Sequence, residues 1–512
     1  MRSISLAALV IVLSCLLLAV PAAADVQMHN LFCDNMVLQQ GMKVPVWGTA
    51  DPGEKIAVSF NGQKVTTKAG SDGKWMVRLE PMKAGGPYKL LVVGKNMVLC
   101  ENVMVGEVWV CSGQSNMWWT VKLSANSDEE IANAKYPNIR LFTVPQRVEP
   151  EPVSNVDGKW VECSPETIPD FSAAAYYFGR ELHKTLNVPI GLIHTSWGGT
   201  PAESWTRLEV MKADPELSIY AARYDQQVAD MEKAKADYPN VLAKWKEDSE
   251  KAKAEGKEAP AEPKAPAFGP YLPSSLYNGM IAPLIPYGIK GAIWYQGESN
   301  AAKAYQYRRL FPLMIKNWRK DWGQGDFPFL FVQLANWAPK SDQPMDDYWA
   351  ELREAQLMTL SLKNTGMAVA VDIGDPTNIH PANKQEVGRR LALNALAMSY
   401  GKKLVYSGPI YRAMEPEYGA IVLVFDHIGG GLVAKGDTLK GFTIAGEDRK
   451  FVPAEAKIVG NNVVVSSPQV KDPVAVRYSW AINPDGNLYN KAGLPASPFR
   501  TDDWPGKTVE NK

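Results

Sequence analysis

The 512-residue sequence is poor in the two side chains that most often bind transition metals, since it has five histidines and five cysteines. No two histidines stand at a spacing such as His-x-x-x-His, and the cysteine spacings match no zinc pattern. A net charge is also lacking, because 55 basic residues balance 55 acidic ones. Nucleic-acid-binding proteins commonly carry a basic excess or patch. The sequence therefore predicts neither a metal site nor a nucleic-acid partner.

Long apolar runs are absent as well, with one exception at the N-terminus. There Arg2 precedes the run LAALVIVLSCLLLAV, and PAAADVQ follows with small residues at Ala22 and Ala24. A basic residue, a short apolar run and a small-residue cleavage site are typical of a secretory signal peptide. The alternative, a membrane anchor, calls for a longer span. We expect residues 1–24 to be a signal peptide, and the mature chain to be secreted or periplasmic without stable membrane insertion.

Four cysteines lie beyond the predicted cleavage site: Cys33, Cys100, Cys111 and Cys163. Export permits disulfides, and Cys33 with Cys100 is one conceivable pair. Buried free thiols are an equal alternative, and we expect no cysteine to take part in the chemistry.

The rest of the chain divides by its patterns. Residues 25–105 alternate apolar and polar residues between Asp-Pro-Gly, Asn-Gly and Ser-Asp-Gly turns, which predicts an N-terminal β-sandwich. Residues 106–400 alternate wholly apolar strands with helices, which predicts an α/β domain whose parallel sheet is covered on both faces. A segment rich in Lys, Glu, Ala and Pro, at about 207–270, predicts a solvated helical insertion. Residues 401–512 predict a C-terminal β-rich domain.

Four short clusters lie at or just after the ends of predicted parallel strands, the edge where such sheets bind ligands. Ser115 sits on a tight turn, where a serine hydroxyl is held out and the backbone N–H can help to bind an oxyanion. Glycines in the second cluster let the backbone approach a ligand closely. The third holds an amide and an acid that need partners, and the fourth holds a histidine beside acids. The clusters are GQSNM (113–117), SWGGT (196–200), WYQGESN (294–300) and DIGDPTNIHP (372–381).

Only one of the five histidines has the surroundings of a general base. His380 lies in a loop beside carboxylates, where a base is free to meet a nucleophile. His194 lies within a buried strand just before Ser196, a position more typical of a core histidine. The others lie beside the leader, in an amphipathic helix and among the C-terminal strands. These positions favour His380 as the base for Ser115.

The phrases GEVWVCSGQSNM, GLIHTSWGGTPAESW, KGAIWYQGESNA and IHPANKQEVGRRLA occur in this order between residues 106 and 400. Together they resemble the sialate O-acetylesterase family of SGNH-type hydrolases. The resemblance implies an α/β fold with an SGNH, flavodoxin-like three-layer parallel-sheet core and flanking β-sandwich domains. It also implies a carboxylic ester hydrolase in which Ser115 attacks the acetyl carbonyl of an acetylated carbohydrate. His380 would take the proton and later activate water, and no cofactor is required.

The resemblance also implies supporting residues. The oxyanion would be bound by the N–H groups of Ser115 and Gly199 and by the amide of Gln296, with Asn300 as the alternative amide. Glu298 would fix the geometry of its loop rather than transfer a proton. The residues expected at the substrate-binding site are Asn116, Trp197, Glu298 and Asn300.

One position departs from the SGNH pattern, in which an aspartate usually stands three residues before the histidine. Here that position is Thr377, and Asn378 follows it. We expect Asp375 to be the orienting acid, with Asp372 or a backbone carbonyl as alternatives. The departure also leaves open a non-catalytic carbohydrate-binding protein on a hydrolase scaffold, although the presence of both Ser115 and His380 counts against it.

The motifs act on the acetyl group and do not distinguish the sugar. An acetylated sialic acid and an acetylated plant polysaccharide such as xylan are both open. Flat aromatic faces suit stacking on sugar rings, yet large aromatic side chains also build cores. The tryptophans in or near the motifs are Trp118, Trp119, Trp197, Trp205, Trp294 and Trp337.

Overall fold

The structure, a computed structural model, describes residues 25–341, 343–344 and 346–511. The predicted signal peptide, residues 1–24, lies outside the described residues. The N-terminal strands are β1 (Gln27–Met28), β2 (Val37–Gln39), β3 (Val44–Thr49), β4 (Lys55–Phe60), β5 (Gln63–Lys68), β6 (Lys74–Leu79) and β7 (Gly85–Val93). The strands of the middle part are β8 (Met97–Gly113), β9 (Tyr136–Thr143), β10 (Trp160–Cys163), β11 (Ile190–Ser196), β12 (Gly291–Tyr295), β13 (Phe329–Gln333) and β14 (Thr365–Val369).

The remaining elements are C-terminal strands and helices. The strands are β15 (Ile410–Glu417), β16 (Ala420–Asp426), β17 (Leu432–Ala434), β18 (Phe442–Ala445), β19 (Val452–Pro453), β20 (Glu455–Val459), β21 (Asn462–Ser466), β22 (Ala475–Tyr478), β23 (Leu488–Asn490) and β24 (Phe499–Arg500). The helices are α1 (Ser115–Trp118), α2 (Ser127–Ala132), α3 (Ala173–Leu186), α4 (Leu208–Lys212), α5 (Ser218–Ala254), α6 (Ala304–Trp322), α7 (Tyr348–Met358) and α8 (Lys384–Tyr400).

A central sheet runs in the order β10-β9-β11-β8-β12-β13-β14. Its neighbouring strands pair in parallel from β9 to β14, and β10 is antiparallel to β9. The strands β11 to β14 are buried along their whole length, as their apolar sequences predict. The expected α/β class is confirmed, with a mixed rather than purely parallel sheet and with additional sheets; the three-layer SGNH arrangement stays a prediction.

The long strand β8 belongs to two parts of the molecule. Its first half pairs with β2 and β7, and its second half pairs in parallel with β11 and β12. The predicted boundary between residues 105 and 106 therefore falls within one continuous strand. The buried core is also continuous from Val26 to Leu396, whereas the C-terminal strands enclose a core of their own. The end of β8, which bears the first motif, is thus hydrogen-bonded to β11 on one side and to β12 on the other.

The helices are bounded by local signals. Helix α3 coincides with the segment AAAYYFGRELHKTL; the Ser172 hydroxyl accepts a hydrogen bond from the Ala175 N–H at its start, and Asn187 ends it in a left-handed conformation. Helix α8 begins after Asn383, whose side chain accepts from the Glu386 N–H. Helices α3 and α8 pack against each other, and α8 also packs against β14. The Asn383 cap therefore makes Lys384 the first residue of α8.

The predicted insertion forms an arm. Helix α5 runs for 37 residues, and the proline-rich return lies along it. Two aromatic side chains of the helix donate hydrogen bonds to carbonyls of the return: Tyr238 to Pro263, at 2.9 Å, and Trp245 to Pro260, at 2.8 Å. The arm is therefore a helix with an extended strap rather than a lone helix.

The four cysteines of the described residues are free thiols, of which three are buried. No helix within the described ranges combines the length and the apolarity needed to cross a bilayer.

Candidate active site

The Ser115 turn follows directly from the end of β8. Gly113 has a φ of +141°, and a Cβ on it would come within 2.1 Å of the Tyr295 carbonyl oxygen on β12, so that only glycine fits. Ser115 is the first residue of α1, where backbone N–H groups have no acceptor within the helix. The Gln114 side chain accepts hydrogen bonds from the N–H groups of Gly297 and Ser299. The turn is thereby tied to the third motif.

His380 reaches Ser115 from the loop between β14 and α8. Its Nε2 lies 2.8 Å from Ser115 Oγ, and both side chains are half-buried. The imidazole stacks on the indole of Trp119, with ring centroids 4.9 Å apart and planes 16° apart. Trp119 is itself fixed, because its indole N–H donates to the Leu123 carbonyl. The geometry is that of a hydroxyl and a base poised for proton transfer.

Behind this pair lies a group of buried polar contacts. The Asn116 amide donates to Glu298 Oε1, at 2.6 Å, and to the Ile379 carbonyl, at 3.0 Å. The Lys384 ammonium donates to Asn116 Oδ1, at 2.6 Å, and to the Pro381 carbonyl, at 2.8 Å. Asn116 and Lys384 are almost fully inaccessible. Asn116 thus connects the serine turn, the histidine loop and the start of α8.

The charges of this group are shifted by burial. Removal from water lowers the pKa of Lys384 to about 7, against the opposing effect of the Glu298 charge, and burial raises the pKa of Glu298. Burial, and secondly the Lys384 charge, lower the pKa of His380 below its usual 6.5. A lowered pKa keeps the imidazole neutral near pH 7, which is the form a general base needs.

The second motif lies against the serine. A Cβ on Gly198 would come within 3.3 Å of the Ser115 Cβ, so the SWGGT loop passes directly over the nucleophile. Gly199 adopts a φ of +74° beside it. The Gln296 amide, by contrast, points into the protein: its Nε2 donates to the Thr200 carbonyl and to Asn300 Oδ1, and its Oε1 accepts from Tyr307. Gln296 as an oxyanion donor stays a prediction, and that role would require one of these bonds to be exchanged.

The two candidate orienting acids, Asp375 and Asp372, form hydrogen bonds with residues other than His380. The Asp375 carboxylate accepts from the N–H and the hydroxyl of Thr377, which lower its pKa. Asp372 forms a bidentate ion pair with Arg390 and accepts from Tyr489. Among the hydrogen bonds of the described residues, none joins either carboxylate to the His380 ring. Asp375 as the orienting acid therefore stays a prediction.

The structure sorts the tryptophans near the motifs. Trp205 and Trp294 are fully buried, whereas Trp119, Trp197 and Trp337 are half-buried. Trp118, on the helix that begins with Ser115, is 44% exposed. Tyr271, at the end of the arm, is 60% exposed, and its hydroxyl lies 3.7 Å from the position of a Cβ on Gly199. Two exposed aromatic side chains thus lie near the serine turn, one on the helix that begins with Ser115 and one beside Gly199.

Of the remaining predicted binding residues, Asn300 is buried, with its amide donating to Glu203 and its oxygen accepting from the Ala202 N–H. Glu298 Oε2 is inaccessible and has no hydrogen-bond partner among the described residues. Within the same ranges, no three His, Cys, Asp or Glu side chains converge as metal ligands would.

Comparisons with known proteins now bear on this geometry. The profile of carbohydrate esterases described as sialic acid-specific acetylesterases matches residues 269–397. Mouse sialate O-acetylesterase is 32% identical over 520 residues, which cover 91% of this chain and 93% of the mouse protein. The human enzyme is 32% identical over 526 residues, which cover 92% of each chain. This chain belongs to the sialate O-acetylesterase family.

A solved structure agrees with this membership. A carbohydrate acetylesterase from Xanthomonas citri superposes with a TM-score of 0.81 at 39% identity, over 94% of this chain and all of that one. The resemblance found in the four motifs is therefore confirmed. As a member of the sialate O-acetylesterase family, the chain is a carboxylic ester hydrolase.

Three residues of this family member's site were not singled out from the sequence. Lys384 stands four residues after His380, but a lysine at a helix start gives no sign that it will be buried. Trp119 was noted only as an aromatic residue near a motif. Tyr271 directly follows the segment whose composition predicts a solvated insertion, and only the folded path of the chain brings it to Gly199.

Proposed function

We propose that the chain is an exported serine esterase that removes O-acetyl groups from carbohydrates through an acyl-enzyme. The observation that carries the proposal is the 2.8 Å hydrogen bond between Ser115 Oγ and His380 Nε2 at the carboxyl edge of the sheet. Ser115 and His380 come from separate motifs, 265 residues apart, so local sequence does not account for their meeting. The signal-peptide pattern of residues 1–24 supports a secreted or periplasmic enzyme.

In the first step, His380 Nε2 accepts the proton of the Ser115 hydroxyl while Oγ attacks the acetyl carbonyl carbon. The oxyanion forms beside the Ser115 and Gly199 N–H groups, which we assign as donors. His380 then gives the proton to the departing sugar oxygen, leaving acetyl-Ser115 and a free sugar hydroxyl. Water attacks this ester, with His380 again taking a proton, and collapse releases acetate and restores Ser115.

The sugar is proposed to lie against Trp118 and Tyr271. Both are exposed, Trp118 on the helix that begins with Ser115 and Tyr271 beside Gly199, whereas the buried tryptophans are unavailable to a ligand. A flat aromatic face covers the apolar face of a sugar ring and leaves the hydroxyls of the ring in water. We assign the substrate to the acetylated sialic acid type on the strength of the named mammalian relatives, with acetylated plant polysaccharides such as xylan as the second candidate.

The test compares acetate release from O-acetylated sialosides and from acetylxylan with hydrolysis of p-nitrophenyl acetate, which carries no sugar. The wild type should cleave p-nitrophenyl acetate and one of the sugar esters, while Ser115→Ala and His380→Ala should cleave neither. Tyr271→Ala should raise KM for the preferred sugar ester and leave p-nitrophenyl acetate unaffected, with Tyr418→Ala, at a remote exposed tyrosine, as the matched control. If wild type and Ser115→Ala hydrolysed these esters at equal rates, the proposal would be contradicted.

A further inference from the structure

The two peptide carbonyls that flank His380 are both held by side chains from elsewhere. The carbonyl before it, of Ile379, accepts from the Asn116 amide at 3.0 Å. The carbonyl after it, of Pro381, accepts from the Lys384 ammonium at 2.8 Å. A histidine backbone held on both sides has little freedom to move its ring away from the serine.

The two holding side chains are also bonded to each other. Lys384 Nζ donates to Asn116 Oδ1 at 2.6 Å, so the ammonium fixes which way the amide faces. The remaining amide hydrogen of Asn116 goes to Glu298 Oε1, whose negative charge balances the ammonium. The amide therefore bridges a buried cation and an anion, and each partner strengthens the other's hydrogen bond.

The His380 ring itself is not oriented by an acid within the described residues. Among the hydrogen bonds of the described residues, the His380 ring donates none to a carboxylate, and the ring instead stacks on Trp119. A base that lacks a carboxylate partner needs another means of staying aligned, since a displacement of about 1 Å can cost on the order of a hundredfold in rate.

We propose that Lys384 and Asn116 act together as a clamp that positions His380 on Ser115, with Glu298 as its counter-charge. The clamp residues are positioning residues, because none of them touches the reacting atoms. The inference rests on the proposed function, since it assigns the geometry of the same Ser115–His380 pair. It predicts that the clamp affects the chemical step and leaves substrate affinity nearly unchanged.

A double-mutant cycle at Lys384 and Asn116, with p-nitrophenyl acetate as the assay substrate, tests the clamp. Lys384→Met keeps the chain length without the charge, and Asn116→Ala removes the bridging amide. Each change should lower kcat by about ten- to a hundredfold and move KM by less than about threefold. The double variant should lose about as much as either single one, because the clamp works as a unit. Lys402→Met, an exposed lysine just beyond the other end of α8, should retain wild-type kcat.

A pH profile separates the clamp from a merely structural role. The Lys384 charge helps to lower the His380 pKa, so Lys384→Met should move the acidic limb of kcat/KM to higher pH. Asn116→Ala keeps that charge and should leave the limb in place. Glu298, behind Asn116, is unchanged in both variants. Asn116→Ala only removes atoms, so it keeps the test open if Lys384→Met does not fold.

Two results would overturn the clamp: losses in the two single variants that multiply in the double one, or a folded Lys384→Met enzyme within about threefold of wild-type kcat. Failure of the proposed function gives a different result, since the wild type itself would then not turn over p-nitrophenyl acetate. The rate at which a fluorophosphonate phosphonylates Ser115 is a second measure of His380 alignment. In the Lys384→Met and Asn116→Ala variants this rate should fall in parallel with kcat.

Discussion

Two serine–histidine pairs lie at the ends of neighbouring strands of the central sheet, one just beyond the end of β8 and one within the end of β11, and only the first has the surroundings of a catalytic pair. Ser115 follows β8 and meets His380 at 2.8 Å, while Ser196 ends β11 and meets His194 at 2.6 Å. Ser196 is in register with Gly113, so the two pairs are close in the sheet. A short hydroxyl–imidazole distance is therefore not enough to identify a catalytic pair.

The difference lies in how each pair is built. His194 and Ser196 are two residues apart on one strand, so their side chains share a face and meet as a local consequence of strand geometry. His194 is buried, with its Nδ1 unpartnered among the described residues, and burial lowers its pKa to about 4. His380 is half-buried on a loop and is held there by Asn116 and Lys384. A base must accept a proton during turnover, and His380 can carry the resulting charge at less cost than His194.

The largest expected effect comes from substituting each of the two histidines in turn and comparing the losses of activity. His380→Ala should lower kcat/KM for p-nitrophenyl acetate by at least about 10³-fold, because it removes the base from a nucleophile that works only with one. His194→Gln should leave kcat/KM within about fivefold of wild type. Steady-state kinetics on folded variants, checked by circular dichroism, measures both. The comparison fails if His194→Gln is the more damaging change.

A smaller effect is expected from the candidate acids. Asp375→Ala should lower kcat by about tenfold, since its carboxylate holds Thr377 within the His380 loop. Asp375→Asn, which keeps one oxygen acceptor, serves as the matched variant and should recover part of the loss. A loss on the order of 10⁴-fold in both would instead identify Asp375 as the orienting acid of a full triad.

The buried pair should affect stability rather than turnover. Ser196→Ala leaves His194 Nε2 without its partner in the interior, which should lower the free energy of unfolding by about 1–3 kcal/mol. Urea unfolding measures this change, and kcat/KM should remain near that of wild type. A loss of turnover in Ser196→Ala without a loss of stability would contradict a purely structural role for Ser196.

The smallest effect is in the pH dependence of stability. The pKa of His194 is about 4 in the folded chain and near 6.5 when unfolded, so between these values the unfolded state binds more protons. The contribution of His194 to stability is therefore complete above about pH 6.5 and is lost as pH falls toward 4. His29, with a pKa also lowered to about 4 by burial, contributes with the same sign.

His194→Gln should accordingly reduce the rise in unfolding free energy between pH 4 and 6.5 without abolishing it. Urea titrations at a series of pH values, compared with wild type, measure the difference in slope. An unchanged slope would mean that His194 binds protons to the same extent in the folded and the unfolded chain, and so would contradict a pKa lowered by burial.

Many strands, helices and motifs of residues 106–400 could be predicted, because short-range sequence patterns specify them. Wholly apolar strands and amphipathic helices are set by short-range pattern, so the segment AAAYYFGRELHKTL coincides with α3. The four motifs stand at or just after strand ends for the same reason. The choice of His380 over His194 also followed from context in the chain, and the structure gives the two residues the different surroundings described above.

What could not be predicted depends on long-range packing. Lys384 is buried, with its ammonium beside Asn116 and the rings of Trp119 and Tyr295, and nothing near Lys384 in the sequence specifies those distant neighbours. The inward orientation of the Gln296 amide results from Thr200, Asn300 and Tyr307. The continuation of β8 from the N-terminal sheet into the central one is set by strand pairing on both sides, which the sequence of β8 does not specify.

The most direct test of the central claim is to find which serine the enzyme itself activates. The enzyme would be treated with a fluorophosphonate, digested and mapped by mass spectrometry, with Ser115→Ala and Ser196→Ala treated in parallel. We predict that Ser115 is phosphonylated, that Ser196 is not, and that Ser115→Ala abolishes labelling while Ser196→Ala does not. Labelling of Ser196, or labelling that survives in Ser115→Ala, would contradict the account.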